Sequence, residues 1–313
     1  MPTMQAVAIH EFGGPERLQL ETLDRPEPGP NQVLIRVCAA SVNPVDYKTR
    51  SGSYPAVKRE QLPQILGRDI SGVVERVGEG VIKLHPGEAV YAMLDRDHGG
   101  YAEYVAIDAE LCTQKPVSLD HAEAAAVPLA ALTAWQGLFD HGQLKPNQRV
   151  LIHGGAGGVG HFAVQLAKAK GAEVITTVAG ADVEFARELG ADAVIDFRAQ
   201  PFDEQVHDID LVYDLVGGET QRRSWSVLKA GGRIVSTLAQ PSEEEARKHN
   251  AQGIVYMAQP DAAELSQIGR LIDQGQVRSI VTAKFPLGEA GKAQETLEKD
   301  HVRGKVVLQI AQA

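Results

Sequence analysis

The chain has 313 residues, enough for about two domains. Its formal net charge of −10 provides no basic field for phosphate chains, which argues against non-specific nucleic-acid binding. No apolar run approaches the roughly 18 residues that span a bilayer, so no membrane partner is expected. The N-terminus lacks a signal-peptide pattern. The two cysteines, Cys38 and Cys112, cannot form a disulfide framework and fit a cytoplasmic protein.

The first third of the chain has the pattern of a β-rich domain. Short alternating or apolar segments are separated by Gly- and Pro-rich turns, such as the proline-rich joint at 25–31. Many short strands at this spacing predict a small barrel-like β domain. The predicted strands are Met4–Ile9, Gln32–Cys38, Ile70–Val77, Ala89–Ala92 and Gly99–Ile107.

From His121 onward the pattern changes to alternating helices and strands. A helical segment is predicted over Ala122–Phe139 with a break at Pro128. Strand–helix alternation then predicts an α/β, Rossmann-type doubly wound parallel sheet with helices on both faces. The predicted strands are Arg149–His153, Glu173–Val178, Ala193–Phe197, Leu211–Val216, Arg233–Leu238 and Ile254–Met257, and the predicted helices include Val183–Leu189, Glu219–Lys229 and Ala262–Asp273.

The glycine-rich loop after the first of these strands predicts a dinucleotide site. It contains the spacing Gly155-x-Gly157-x-x-Gly160 between an apolar strand and a helical pattern. Such glycines allow a tight turn, a close approach of backbone N–H groups to a pyrophosphate, and close packing of helix on strand. The start of the helix adds positive potential where the phosphates would lie. The candidate cofactor-binding residues of this loop are Gly155, Ala156, Gly157, Gly158, Val159 and Gly160.

The ends of the other strands give further cofactor candidates. The second strand ends at Val178-Ala179 with no carboxylate to grip a ribose 2′-hydroxyl, which favours NADPH over NADH. No basic clamp for a 2′-phosphate is obvious, and Arg187 or Arg198 are the possible substitutes. Asp182 is interpreted as a helix N-cap. Val216, Leu238 and Ala239 follow later strands, at the edge where such sheets bind ligands.

The C-terminal segment, Ser279–Ile310, returns to a strand–helix–strand pattern and is too short to form a domain alone. We therefore expect it to complete the first domain. The predicted division is a catalytic domain at 1–125 and 279–313 and a nucleotide-binding domain at 126–278. The cofactor is expected in the cleft between them.

Several motifs together resemble the medium-chain dehydrogenase/reductase superfamily, in its zinc-independent quinone oxidoreductase (zeta-crystallin-like) branch. The resemblance covers nearly the whole chain and implies a GroES-like β-barrel domain, a Rossmann-type NADP-binding domain and a homodimer. The motifs that carry it are SVNPVDYKTRSG (41–52), LGRDISGVV (66–74), PGEAVYA (86–92), GGYAEY (99–104), VPLAALTAWQGL (127–138), HGGAGGVG (153–160), LGADAVIDF (189–197), YDLVGG (213–218) and HVRGKVVL (301–308).

The zinc ligands of the alcohol dehydrogenases in this superfamily have no counterparts here. Asn43 stands where those enzymes carry a cysteine, and Gly67-Arg68-Asp69 stands where they carry Gly-His-Glu. The four-cysteine structural lobe is missing as well, and Cys38 lies inside a predicted strand. A catalytic zinc needs three suitable ligands. We therefore expect no metal, and the resemblance then implies quinones or α,β-unsaturated carbonyls as hydride acceptors.

The resemblance also implies roles for residues outside the glycine loop. Asn43 matches a residue facing nicotinamide and substrate; the alternative is a turn asparagine before Pro44. Tyr47 and Lys48 follow it, and Lys48 either polarises a substrate carbonyl or is a surface lysine. Thr133 matches a nicotinamide-contacting threonine, or is a helix threonine bonded to a preceding carbonyl. Arg303 and Lys305 either close over the cofactor cleft or form a solvated basic turn.

The predicted function is an NADPH-dependent, zinc-free reductase that transfers hydride to a quinone or a conjugated carbonyl. A more selective enoyl or alkenal reductase is the first alternative, and a non-catalytic NADPH-binding redox sensor is the second. No HExxH or GxSxG pattern supports a metalloprotease or a hydrolase.

Overall fold

The computed structural model describes residues 2–311, which divide into two compact units. Unit 1 takes in the chain up to Leu129, the segment Pro260–Asp273 and the chain from Ser279 onward. Unit 2 consists of Ala130–Gln259 and Gln274–Arg278. The sequence places the boundaries near 125 and 279.

Unit 1 is built mainly from short strands. Its first eight are β1 (Thr3–Ile9), β2 (Gln19–Asp24), β3 (Gln32–Val42), β4 (Gln64–Ile65), β5 (Asp69–Val77), β6 (Ala89–Met93), β7 (Tyr104–Asp108) and β8 (Cys112–Gln114). Helix α1 (Pro44–Arg50) follows β3, and α2 (His121–Ala125) follows β8. Asp120 caps α2 by accepting the N–H of Glu123 at 2.7 Å. Helix α3 (Pro128–Trp135) begins at the proline that the sequence marks as a break, because proline suits the first turn of a helix.

Unit 2 contains a six-stranded sheet in which every pair of neighbours is parallel. Its strands are β9 (Arg149–His153), β10 (Glu173–Val178), β11 (Ala193–Asp196), β12 (Ile209–Asp214), β13 (Leu228–Ser236) and β14 (Gln252–Val255). The order β11-β10-β9-β12-β13-β14 is that of a Rossmann sheet, with the switch point between β9 and β12. The connecting helices are α4 (Gly160–Ala169), α5 (Val183–Glu188), α6 (Gly218–Ser224) and α7 (Glu243–Lys248).

The C-terminal elements belong to unit 1. They are α8 (Ala262–Asp273), β15 (Val281–Pro286), α9 (Ala290–Lys299) and β16 (Lys305–Gln309). Strand β16 pairs antiparallel with β3, so the seven-stranded sheet runs β15-β16-β3-β5-β6-β8, and β7 also pairs with β3. A second sheet has the order β2-β1-β4. Leu287, Ala290 and Val306 join the same buried cluster as Val7 and Ile35, so the tail completes the core of unit 1.

Most predicted elements are present, and the differences have physical reasons. The strand predicted over Gly99–Ile107 begins only at Tyr104 and ends at Asp108, because the N–H groups of Gly100 and Tyr101 bond to the carbonyls of Gly67 and Leu66, which lie between β4 and β5. The helix predicted to Phe139 ends as α-helix at Trp135 and continues as a π-helical turn over Gln136–His141. Helix α8 lies in unit 1 rather than the nucleotide-binding domain, since Tyr91 donates to the Leu265 carbonyl at 2.7 Å. Strand–helix alternation does not reveal which sheet a helix packs on.

Within residues 2–311, no helix combines the length and apolar character needed to cross a membrane.

Candidate functional site

The glycine loop of unit 2 joins β9 to α4 and is shaped by one tight turn and two close approaches. Gly154, just ahead of the predicted motif, has φ +79°, so it makes the turn that the sequence assigns to the motif itself. A Cβ at Gly155 would lie 2.1 Å from Thr176 Oγ1, and one at Gly160 would lie 2.0 Å from the Gly154 carbonyl oxygen. A Cβ at Gly157 would have one neighbour within 4 Å, the Gly154 carbonyl oxygen at 3.5 Å, which is an ordinary contact. Gly157 therefore has room for a methyl group, and a ligand could approach the backbone there.

A buried histidine supports this loop from below. His153 is fully buried; its Nδ1 lies 3.0 Å from Thr177 Oγ1 and its Nε2 lies 2.9 Å from Ser224 Oγ. Burial lowers the pKa of His153 to about 4, so the ring is neutral at physiological pH. His153 therefore packs under the loop as a buried, neutral residue.

The predicted cofactor residues of unit 2 gather at the carboxyl edge of its sheet, because all six strands are parallel. Val178 and Ala179 are buried at the end of β10, whereas Val216 and Leu238 are 53% and 48% exposed beyond β12 and β13. A Cβ at Gly154 would lie 3.6 Å from the Val216 side chain, so this edge adjoins the glycine loop. Exposed apolar side chains around a polar loop are typical of a ligand-binding surface.

Asp214, which the sequence analysis overlooked, holds two of these strand ends. Its Oδ1 accepts the N–H groups of Val216 (3.1 Å) and Gly217 (2.7 Å). Its Oδ2 accepts from Gln221 Nε2 (2.9 Å) and Ser236 Oγ (3.0 Å). The carboxylate is fully buried, and four donors compensate its desolvation. A charged residue directly after the apolar run 211–213 is the signal that could have identified it.

A carboxylate at the end of β11 lies next to the end of β10, and a cation follows it in the chain. Asp196, which pairs with Val178, places Oδ2 only 2.6 Å from where a Cβ of Gly180 would lie. Arg198 follows it, exposed, with its guanidinium 5.8 Å from the centre of the Phe197 ring. Asp182 occupies the N-cap position of α5 but makes no side-chain capping bond there. The sequence has no acidic residue at the end of β10, but the structure places the Asp196 carboxylate of β11 next to it.

Thr133 lies in the last part of α3 and is 8% exposed. Its backbone carbonyl accepts the hydroxyl of Tyr213 at 2.9 Å and that of Tyr256 as well. These two buried tyrosines, whose hydroxyls also contact each other at 2.7 Å, fix the helix at this position.

In unit 1, Asn43 belongs to a buried polar cluster. It is 2% exposed and precedes α1. Its Nδ2 donates to Asp69 Oδ2 at 2.9 Å and to Ser41 Oγ at 3.3 Å, and its Oδ1 accepts from Lys305 Nζ. Asp69, a second residue that the sequence analysis left without a role, also accepts from Ser41 Oγ at 2.5 Å and from the Leu129 N–H at 2.6 Å. Burial raises the pKa of Asp69, and the Lys305 charge counteracts this.

The structure corrects the expectation for Lys305. The residue is 3% exposed, so it does not form a solvated turn. The ammonium contacts Asn43 and the Val42 carbonyl (3.3 Å), and Asp69 Oδ2 lies 4.0 Å away. The sequence could not show this, because a lysine after a glycine is typical of a surface turn. Arg303 precedes β16, and its carbonyl accepts the Thr282 hydroxyl.

Helix α1 carries the other two catalytic candidates, Tyr47 and Lys48, and both are half-buried. Burial and the charge of Glu298 raise the pKa of Tyr47. The helix is anchored by Asp46, whose Oδ2 accepts the Asn43 N–H (2.7 Å) and the Tyr101 hydroxyl (3.0 Å). The three predicted catalytic residues, Asn43, Tyr47 and Lys48, thus lie on, or next to, one anchored helix.

Arg68 stands where the zinc alcohol dehydrogenases carry the histidine of Gly-His-Glu. Its Nε donates to the Leu94 carbonyl at 2.9 Å. Among residues 2–311, no group of three His, Cys, Asp or Glu side chains could hold a metal ion.

Comparisons with known proteins agree with this geometry. Residues 29–117 match the alcohol dehydrogenase GroES-like domain, and residues 189–308 match the zinc-binding dehydrogenase family. The chain is 33% identical to the chloroplastic NADPH-dependent alkenal/one oxidoreductase of Arabidopsis thaliana, over 97% of this chain and 79% of that protein. The quinone oxidoreductase from Coxiella burnetii has a TM-score of 0.92 at 38% identity, covering 99% of this chain and 100% of its own. Escherichia coli quinone oxidoreductase complexed with NADPH has a TM-score of 0.87 at 29% identity, covering 97% and 99%.

A GroES-like β unit joined to a Rossmann unit defines a two-domain dehydrogenase or reductase. The chain belongs to the medium-chain dehydrogenase/reductase superfamily, as a member of its quinone oxidoreductase family.

The glycine loop makes a paired prediction. Gly160→Ala should destabilise the protein by about 2 kcal/mol or more, because the new methyl group collides with a backbone carbonyl. Gly157→Ala, the matched control, has room for its methyl group and should leave the unfolding temperature near that of wild type. It should still weaken NADPH binding about tenfold, measured by fluorescence titration, because the methyl group stands where the ligand approaches. Equal unfolding temperatures for the two variants would contradict this packing.

The raised pKa of Asp46 predicts how the free energy of unfolding depends on pH. Burial raises its pKa from 3.8 to about 6, against the opposing bonds from Asn43 and Tyr101. The folded state therefore binds more protons than the unfolded state between these values, so the Asp46 contribution destabilises increasingly as pH rises from 4 to 6. Asp46→Asn can keep both bonds through its carbonyl oxygen and loses the charge. Its stability advantage over wild type should grow with pH to about 3 kcal/mol, measured by denaturant unfolding at pH 4 to 7.

Asp120→Asn provides a control of opposite sign. Although burial raises the pKa of Asp120, the Glu123 N–H and the Lys284 charge lower it overall. This variant should lose stability relative to wild type as pH rises through the carboxyl range. Parallel pH dependences for Asp46→Asn and Asp120→Asn would refute the assignment.

Proposed function

We propose that the protein is an NADPH-dependent, zinc-free reductase that transfers hydride to quinones or to the β-carbon of α,β-unsaturated carbonyls. The observation that carries this proposal is the glycine loop, which leaves room beside the backbone at Gly157 and adjoins the exposed Val216 through Gly154. The names of the relatives support the acceptor class, since one is an alkenal/one oxidoreductase and others are quinone oxidoreductases.

The residues present fit a dinucleotide. The pyrophosphate would lie over Gly157 at the start of α4, where N–H groups and the helix dipole favour negative charge. The candidate contacts are those of the sequence analysis: Thr133, Gly155, Ala156, Gly157, Gly158, Val159, Gly160, Val178, Ala179, Arg198, Val216, Leu238, Ala239 and Arg303. When bound, NADPH supplies the hydride.

The chain contributes binding, orientation and hydrogen-bond donors. Lys48 and Tyr47 are the proposed donors to the oxygen that becomes negative, and Asn43 is the third. Both Asn43 N–H groups are directed at Asp69 and Ser41, so donation to substrate would use the group on the longer, 3.3 Å bond to Ser41. Solvent then supplies the proton to the oxygen.

An assay of NADPH oxidation against a panel of quinones and enones tests the proposal. Turnover of several members of both classes is the expected result. Turnover confined to enones would indicate the selective enoyl or alkenal reductase, and tight NADPH binding without any turnover would indicate the redox sensor. Absence of both binding and turnover would refute all three.

Cofactor choice makes a further prediction, centred on the end of β11. Arg198 is the cation proposed to face a 2′-phosphate, whereas Asp196 would oppose one. Arg198→Ala should reduce the ratio of NADPH to NADH affinity, and Asp196→Asn should increase it, each by about three- to tenfold. The ratio is measured by fluorescence titration with both reduced cofactors. Tighter NADH binding by wild type, or variants that shift the ratio in the same direction, would contradict the proposal.

We further propose a cytoplasmic homodimer. Cys38 and Cys112 are buried free thiols, which fits a reducing compartment. Strand β14 ends the sheet of unit 2, and Val255 and Met257 there are 40% and 50% exposed, which suits pairing with a second copy. Sedimentation analysis would test the dimer.

A further inference from the structure

Burying a charged lysine side chain costs free energy, and Lys305 is buried at a position where its ammonium contacts Asn43. It begins β16, which runs antiparallel to β3 with Val306 opposite Val42, so its side chain meets the end of β3. Its side chain is 4% exposed and that of Asp69 is fully buried. An ammonium in such a position is tolerated only when oxygens surround it, and here Asn43 Oδ1, the Val42 carbonyl and Asp69 do so.

The two ions define which way the Asn43 amide points. An ammonium can only donate and an ionised carboxylate can only accept, so the carbonyl end of Asn43 must face Lys305 and the NH₂ end must face Asp69. A flipped amide would place NH₂ against an ammonium and oxygen against a carboxylate. The opposed charges therefore select one orientation.

The same contacts place the start of α1. Asn43 is its N-cap residue, and the backbone N–H of Asn43 is held by Asp46. Tyr47 and Lys48 follow within the next turn of that helix. Fixing the Asn43 side chain from β16 and β5 thus restricts the segment that carries all three proposed donors.

We propose that Lys305 is a positioning residue for hydride transfer, holding the Asn43 amide by its carbonyl oxygen while Asp69 balances the ammonium charge. Lys305 touches neither substrate nor cofactor in this role. The inference rests on the proposed function for its catalytic consequence, whereas the orientation of Asn43 can be measured without any turnover.

Two substitutions whose side chains have equal length distinguish the effect of the hydrogen bond to Asn43 from that of the Lys305 charge. Lys305→Met and Lys305→Gln both remove the charge, but only glutamine can donate to Asn43 Oδ1. Lys284→Met is the matched control, because Lys284 lies on the adjacent strand β15 and pairs with Asp120 at the surface. Its turnover should equal that of wild type.

Lys305→Met should lower kcat roughly tenfold or more per folded molecule while the Kd for NADPH stays within about twofold, because misplaced donors affect the reaction rather than cofactor binding. Lys305→Gln should recover part of the loss. A purely structural lysine would lower the unfolding temperature of both variants and leave kcat unchanged. That outcome, or equal kcat for the two variants, would overturn the proposal.

Asparagine side-chain NMR gives a readout that is independent of activity. The chain has four asparagines, and Asn31, Asn147 and Asn250 are exposed, so only the buried Asn43 should have NH₂ protons protected from solvent exchange. The other three are internal controls in a sample labelled with ¹⁵N-asparagine. The protected pair should lose protection in Lys305→Met and retain more of it in Lys305→Gln. Unchanged protection in Lys305→Met would overturn the proposal.

The two readouts distinguish the possible failures. If wild type turns over no quinone or enone, the proposed function fails, and the NMR measurement still decides whether Lys305 positions Asn43. If Lys305→Met does not fold, Lys305→Gln is compared with wild type by both methods. Wild-type kcat together with wild-type protection in that variant would count against the proposal.

Discussion

The polar cluster of unit 1 depends on the interactions of one buried carboxylate, that of Asp69. It accepts hydrogen bonds from Ser41 and Asn43 at the end of β3 and from the Leu129 N–H at the start of α3, and it lies 4.0 Å from the Lys305 ammonium of β16. Segments far apart in sequence are thereby tied to one anion. A buried ion is stable only when all its partners are present, so this cluster requires the C-terminal strand to be in place before the site is formed.

The nucleotide-binding unit uses the same principle with neutral donors. Asp214 holds the turn after β12 through two backbone N–H groups, and it reaches α6 and β13 through Gln221 and Ser236. No cation is needed, because four hydrogen bonds satisfy the carboxylate. In the Asn43 cluster of unit 1, by contrast, the amide lies between opposite charges, with its oxygen toward Lys305 and its NH₂ group toward Asp69.

Close packing around two glycines is a second constraint, and it determines the shape of the loop between β9 and α4. Gly155 and Gly160 lie where no side chain fits, while Gly157 has space around it. The motif is therefore a mixture of packing glycines and one position left open for a ligand. Membership of the quinone oxidoreductase family agrees with this cradle, and it leaves the acceptor to be decided by the loops and by helix α1.

The sequence by itself determined the two-unit architecture, the parallel Rossmann sheet and the glycine loop, because apolar periodicity and turn residues are local properties. It also predicted the return of the tail to a β pattern, and it singled out Asn43 as a candidate site residue, which stays a prediction. Only the tertiary structure decided that Lys305 turns inward to Asn43, that α8 packs on unit 1, and that Asp196 of β11 stands beside Gly180 of the β10 turn. These are contacts between residues distant in the chain or on neighbouring strands. Burial and partner choice at such positions depend on which elements come together, and no local pattern records that.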